Sequence, residues 1–293
     1  MAANAPQVVI LCGVFFMAVA NPLTHLQPPD QSAAPQTAPR PRRALRLGQL
    51  ALLPLSITAA LLLWQNLIWI NQYPAFILPS PLQVWERLWR ALADGTLLRH
   101  SAITLSETLS GLALGLIVAA SLGYVLAHWP PLERLLAPYI IASQSIPVAA
   151  IAPLIIIWLG SGFTSKVLIC ALIVFFPVLI NVIVGVRSVE PDLRDLMRTL
   201  RANRWQTFTH LELPAALPTL FAGLKIGATL SVIGAVVGEF SGSDRGLGFL
   251  ISAARGQFDT ALVFVAVFAL VFMAMSLYGA VAALERLLLS WKD

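Results

Sequence analysis

From Leu135 to Ser165 the chain carries no charged residue, and from Val167 to Val186 again none, with Lys166 the single break between them. A helix needs about 20 apolar residues to cross a hydrocarbon core about 30 Å thick. Inside lipid the backbone must satisfy its own hydrogen bonds, which long uninterrupted runs achieve as helices. Barrel strands are instead alternating segments of roughly 10 residues. Composition agrees: the chain is 58% hydrophobic and only 11% charged, against roughly 25% charged in a soluble domain. The fold class is therefore an all-α integral membrane protein.

Six spans are expected, at about 49–70, 102–127, 135–159, 166–186, 215–238 and 260–284. Gly160-Ser161-Gly162 supplies the tight turn between the third and fourth, and Pro147, Pro153 and Pro177 fall inside spans, where they kink helices. Residues 1–46 read as a disordered cytoplasmic tail, poor in apolar residues after the short run at 8–20; 47–293 form the transmembrane domain. That short run has the length of a signal-peptide core, but no Lys or Arg precedes it. Between spans one and two, residues 81–98 suit an amphipathic interfacial helix started by Pro81, with Val84, Leu88, Ala91 and Leu92 at helical spacing and Trp85 and Trp89 beside them. Most Lys and Arg fall on the side of the 188–214 loop, so the positive-inside rule puts that loop and both termini in the cytoplasm, in a multi-pass protein of the cell membrane.

The same rule accounts for the formal charge of +5 without a nucleic-acid partner; the lipid bilayer is the partner that composition demands. Cys12 and Cys170 lie in apolar surroundings with neither metal spacing nor a disulfide framework, and read as small apolar fillers. Polar side chains at membrane depth are costly unless they meet water, ligand or each other. Gln65, Asn66, Ser143, Gln144, Ser145 and Asn181 are therefore translocation-pathway candidates, with interhelical hydrogen bonding as the plainer role. Glu239 is expected to pair with Arg245 or Arg255, and Glu107 to snorkel outward. His100 and His128 sit at span ends, His210 in the loop and His25 in the tail, so an intramembrane serine protease finds no histidine at depth. The segment Gly160–Val167 has the wrong residues at 165 and 167 for a phosphate-binding loop and no strand before it. No catalytic or metal-ligating set emerges.

The 188–214 loop carries the strongest functional signal. Pro191, Asp192 and Asp195 suit a first helical turn and the following arginines its later turns. Asn203 with Gln206 three residues on is a capping-box variant that starts a second short helix. A bend near residue 201, then Leu213-Pro214 entering the next span, makes a protruding elbow. Trp205, Phe208 and Leu211 are expected to share one face of the second helix. Such a face inside a basic loop suits either a groove on another protein or the surface of anionic lipid.

This loop resembles the cytoplasmic coupling loop of permease subunits from binding-protein-dependent ABC importers. The family pattern is Glu-Ala-Ala, three residues, Gly, nine residues, an aliphatic residue, one more, then Leu-Pro. Anchored on Leu213-Pro214, it places the aliphatic residue at Leu211, the glycine at Arg201 and the Glu-Ala-Ala at Asp195-Leu196-Met197. The glycine and both alanines are absent; Arg at positive φ costs about 1–2 kcal/mol, so a different turn geometry is expected here. The resemblance runs from about 74 to 291. It includes "FILPSP" (76–81), 145–188 and "VVGEFSGSDRGLGFLI" (236–251), and is nearest the nitrate, sulfonate and taurine importer group.

The resemblance implies a six-helix permease bundle that translocates a small solute of that kind. It also implies cytoplasmic ATPase subunits, an external or periplasmic solute-binding protein and a second permease copy, most simply a homodimer. ATP and Mg would sit on the partner ATPase, and no cofactor on this chain. ATPase coupling would fall to Asp195, Arg198, Arg201, Arg204, Trp205, Phe208, Leu211, Leu213 and Pro214. Alternatives are import of a thiamine pyrimidine precursor or similar heterocycle, and a secondary transporter, although the buried charges and internal repeat that the latter usually shows are not evident.

Overall fold

In the computed structural model residues 44–289 are described, with side chains from residue 54 onward. Expectations for the tail before residue 44, including Cys12 and His25, lie outside the described residues. The chain divides into two units, Met1–Leu55 and Ser56–Asp293; the contacts below belong to the second. Among the described residues every regular element is helical: α1 (Ala44–Asn71), α2 (Pro81–Ala93), α3 (Thr96–His128), α4 (Pro130–Gln144), α5 (Val148–Leu159), α6 (Phe163–Arg187), α7 (Pro191–Thr199), α8 (Arg204–Thr207), a π-helical turn (Phe208–Glu212), α9 (Leu213–Gly242), α10 (Leu247–Gly256) and α11 (Thr260–Leu288).

Among the described residues four stretches are long and apolar enough to cross a membrane: α3, α6, Arg204–Gly242 and α11. A fifth appears if α4 and α5 count as one span broken by a 93° bend. The expected third span, 135–159, is thus not one kinked helix. Pro147 has no N–H to donate and biases Ile146 away from helical dihedrals, so the chain turns at Ser145–Pro147 before α5 starts. The second span also starts earlier than expected. Asp94 Oδ1 accepts from Thr96 N at 2.9 Å, which launches α3 six residues ahead of the apolar run. The same bond holds the exposed Asp94 carboxyl below its ordinary range. α1 is helical over the residues of the first expected span but is not one of those four stretches.

α6 is the centre of the bundle, with α3 on one flank and α9 on the other. Lipid gives helices no hydrophobic reason to associate, so close van der Waals contact through small residues must hold them. One very tight point is Cys170 of α6, fully buried. A Cβ on Gly111 of α3 would lie 2.2 Å from Cys170 Cβ, and one on Gly234 of α9 only 2.8 Å from Cys170 Cα. Cys170 is the small filler its surroundings suggested. Farther along, Leu126, Val178, Leu179, Val182 and Val186 continue the packing between these helices.

α2 begins as expected: Ser80 and Gln83 exchange bonds in a capping box ahead of Pro81. Its buried face, Val84 and Ala91, packs in one cluster with Leu262, Val265, Ala266 and Met273 of α11. Trp85 and Trp89 stay exposed, their rings edge to face at 5.6 Å. Arg87 Nε donates to Asp259 Oδ2 at 2.8 Å while Asp259 Oδ1 caps Leu262 N, so the lateral helix is pinned to the start of α11.

Gly234→Val should drive a side chain into the backbone of α6 and lower stability by about 1–3 kcal/mol. Gly279→Ala, which meets open space, should leave the thermal unfolding midpoint of the detergent-purified protein unchanged.

Candidate functional site

The elbow is built from local rules. α7 opens on Pro191 and closes on the hydrogen-bond pair Arg201 N to Arg198 O (2.9 Å) and Ala202 N to Met197 O (3.0 Å), a Schellman ending. Arg201 stands at its left-handed position with φ +54°. The turn therefore keeps the geometry that a glycine would allow, against the expectation of a different bend. The paired terminal hydrogen bonds offset the strain of a side chain there.

The Asn203–Gln206 capping box forms as expected, with both bonds at 2.8 Å. The second short helix, however, does not stop before the next span. α8 runs through the π turn into α9 as one rod, Arg204–Gly242. Pro214 has no N–H for the carbonyl four residues back, and the shift to a bond from Leu213 N to Phe208 O absorbs the mismatch.

Of the expected common face of Trp205, Phe208 and Leu211, the first two meet, their rings 5.7 Å apart. Trp205 stays 70% exposed, Phe208 also reaches inward with its ring 5.2 Å from Tyr124 of α3, and Leu211 is half-buried. Behind Phe208 lies buried Glu212, which accepts from Tyr124 Oη at 3.0 Å and lies 2.9 Å from His128 Nε2. This joint ties the elbow to the end of α3 and gives His128 a partner rather than plain solvent. Sequence reasoning gave Glu212 no role, since its partners lie more than eighty residues away.

Asp195 pairs with Arg198 at 2.7 Å, both exposed, and Arg201 and Arg204 are exposed. Leu213 and Pro214 are half-buried at the root of α9. The free apolar surface of the elbow is on α7, where Leu193, Leu196 and Leu200 are all exposed. Their i, i+3, i+7 spacing was legible as one helix face, yet Leu196 had been read only as a departure from alanine.

At the opposite end of the bundle a second constellation closes over α10. The N–H groups of Gly246, Leu247 and Gly248 open that helix and donate in turn to His100 Nδ1 (3.0 Å), Thr104 Oγ1 (2.8 Å) and Glu239 Oε2. Thr104 Oγ1 donates onward to Glu239 Oε1 at 2.7 Å. A Cβ on Gly246 would fall 2.1 Å from that carboxylate, and φ at Gly246 is +99°, so only glycine fits there. Lys166 is buried beside it, donating to Ser243 Oγ at 2.7 Å, with Glu107 Oε1 at 3.5 Å.

These contacts correct two expectations. Glu239 does not pair with Arg245 or Arg255: Arg245 reaches Asp244 instead. Glu107 does not snorkel but is 1% exposed, and Lys166 is buried with it. A lone lysine between two apolar runs needs a buried carboxylate, and that signal pointed to Glu107 and Glu239.

The pathway candidates are not brought together by mutual bonds. Ser143 Oγ and Ser145 Oγ donate back to carbonyls of their own helix, at Tyr139 (2.7 Å) and Ile141 (3.3 Å). They sit with exposed Gln144 at the 93° bend. Asn181 Nδ2 donates to Pro177 O at 2.8 Å, and its side chain lies against Gly223 of α9. Gln65 and Asn66 are exposed on α1.

Residues 111–290 match the family described as binding-protein-dependent transport system inner membrane component. This chain belongs to that family. It is a membrane permease of the ABC importer kind, similar to the riboflavin transport system permease protein RibX of Chloroflexus aurantiacus: 49% identical over 258 residues, 88% of this chain and 96% of the relative. It is 35% identical to the formylaminopyrimidine transport permease protein ThiX of Halalkalibacterium halodurans, over 74% of this chain and 86% of that one. Against the taurine transport system permease protein TauC of Escherichia coli the identity is 31%, over 84% and 89%. Residues 111–290 contain the elbow and, of the buried constellation over α10, Lys166, Glu239 and Gly246–Gly248, while His100, Thr104 and Glu107 lie before them.

Glu239→Ala should strand the Gly248 amide, leave the Thr104 hydroxyl only the His100 carbonyl as acceptor, and leave Lys166 one carboxylate short. A buried hydrogen bond to a charged group contributes about 1.5–3 kcal/mol. Amide exchange at 246–248 should therefore accelerate at least about tenfold, with Glu239→Gln intermediate.

Proposed function

We propose that this permease is the translocation subunit of an ATP-driven importer and that the α7–α8 elbow is its coupling element. The observation that carries this reading is the exposed stripe Leu193, Leu196 and Leu200 on α7, an apolar ridge flanked by exposed charge. A ridge of this kind is suited to a groove on a soluble protein. Seated on an ATPase subunit, it would receive the closing motion of the nucleotide site. The continuous rod Arg204–Gly242 would carry that motion into the bundle without a flexible joint.

In this reading the elbow and both termini face the cytoplasm, ATP and Mg reside on the ATPase, and a second permease copy completes the pathway. A solute-binding protein delivers the cargo to the opposite face. There the capped α10 would hold a rigid surface. Arg201, Arg204 and Trp205 follow the ridge along the elbow, Asp195 and Arg198 stand on the other face of α7, and Phe208, Leu211, Leu213 and Pro214 transmit force behind it. Ser143, Gln144, Ser145 and Asn181 are the polar groups nearest a pathway that the α4–α5 bend would open.

For cargo, the relatives favour a heteroaromatic compound of the riboflavin or aminopyrimidine kind over a sulfonate. The support is the higher identity to permeases named for those compounds, 49% over 88% of this chain and 35% over 74%, against 31% over 84% for the taurine permease. Nitrate-, sulfonate- or taurine-like cargo is the second reading.

Leu196→Glu with Leu200→Glu should reduce the ATPase subunit that co-purifies and reduce uptake by about tenfold or more, as for loss of a buried hot spot, while the permease stays in the membrane. Uptake that persists without the ATPase but collapses with membrane potential would overturn the reading in favour of a secondary transporter. In cells expressing the complete importer, labelled riboflavin should accumulate and labelled taurine should not; the reverse result would reassign the cargo.

A further inference from the structure

Two open clefts meet behind the elbow, and their chemistry differs. The first, about 690 Å³, is almost wholly apolar, walled by Ala120 of α3, Val182 and Val186 of α6, Phe208, and Ala216 and Leu220 of α9. The second, about 840 Å³, is polar and basic, bordered by Arg194, Arg198, Arg204 and His128. Tyr124, Arg204 and Glu212 line both, so the two are continuous.

The basic cleft is short of negative charge. Glu212, the acid that lines it, is already engaged by Tyr124 and His128. Asp195 neutralises Arg198 from outside the cleft. Arg194 donates through Nη2 to Val186 O at 2.7 Å, and its Nε is buried without a partner. Arg204 has no ion pair among the described residues. Trp129 and Trp205, 60% and 70% exposed, border the two clefts, and tryptophans favour the headgroup level of a bilayer.

We propose that the paired clefts bind one anionic phospholipid, its phosphate between Arg194 and Arg204 and an acyl chain in the apolar cleft beside Phe208. A phosphate accepts from several guanidinium N–H groups at once, and a basic pocket between helices on the cytoplasmic side suits an anionic headgroup. The elbow's two faces leave room for this occupant. At 3.6 residues per turn, Arg194 and Arg198 lie roughly 150° around α7 from the Leu193, Leu196 and Leu200 ridge. A partner on the ridge therefore does not cover the cleft. The proposal rests on the cytoplasmic placement of the elbow but not on the identity of the cargo or on ATP coupling.

The test uses the full chain, purified in mild detergent, with an equimolar mixture of phosphatidylglycerol and phosphatidylcholine, retained lipid being counted by native mass spectrometry. Phosphatidylglycerol should be retained preferentially. Arg204→Gln should cut that retention about fivefold, the worth of one basic residue near anionic lipid. Ser121→Phe, at a lining position of the apolar cleft, should also cut it with no change of charge. Equal retention of the two lipids would overturn the proposal. So would phosphatidylglycerol retention untouched by Ser121→Phe while Arg204→Gln releases a co-purified ATPase subunit, since a protein carboxylate would then be the occupant. ATP-driven uptake, measured separately, reports on the coupling reading, so either idea can fail without the other.

Discussion

Cys170 sits between Gly111 and Gly234 because neither neighbour has a side chain, and that contact sets where α3, α6 and α9 cross. Lipid tails are as apolar as leucine, so burying leucine between helices does little to hold them together; close packing must do so. With the middle of the bundle fixed in this way, the two ends can carry polar chemistry. Glu107, Lys166 and Glu239 come from three helices and lie four or five residues along each from the tight crossing that brings them together.

The two ends solve different problems. Away from the elbow, the start of α10 needs acceptors for three N–H groups, and one carboxylate, one hydroxyl and one imidazole supply them. Buried backbone amides left unpaired would be costly in a low-dielectric setting, so the buried charges have a structural reason to be there. At the elbow, Glu212 with Tyr124 and His128 joins a loop to a span, while aromatic rings fill the space around it. The outer faces of α7 are left for partners.

Local features were legible because their causes are local. The Asn203–Gln206 box and the helix opening at Pro81 depend on residues at most a few positions apart. Expectations failed where the deciding partner was distant. Glu239 was assigned to arginines nearby in sequence, yet its bonds reach Thr104, far back on α3, as well as Gly248. Arg201 was expected to refuse a left-handed turn, because a single-residue cost was weighed without the hydrogen bonds that close α7 around it. The span at 135–159 was expected to kink at its prolines and instead bends by 93° between α4 and α5, because hydropathy records apolar content and not how far the chain turns at Pro147.

The sequence by itself determined that the chain lives in a membrane, that its helices are long, and that a basic elbow precedes Leu213-Pro214. Hydropathy, charge bias and capping are properties of neighbouring residues, and they survive without knowledge of the fold. Only the tertiary structure decided which acid meets Lys166, which face of the elbow is free, and that an apolar cleft opens beside a basic one. Those outcomes depend on how α3, α6 and α9 rotate against one another, and rotation is fixed by packing between residues far apart in the chain.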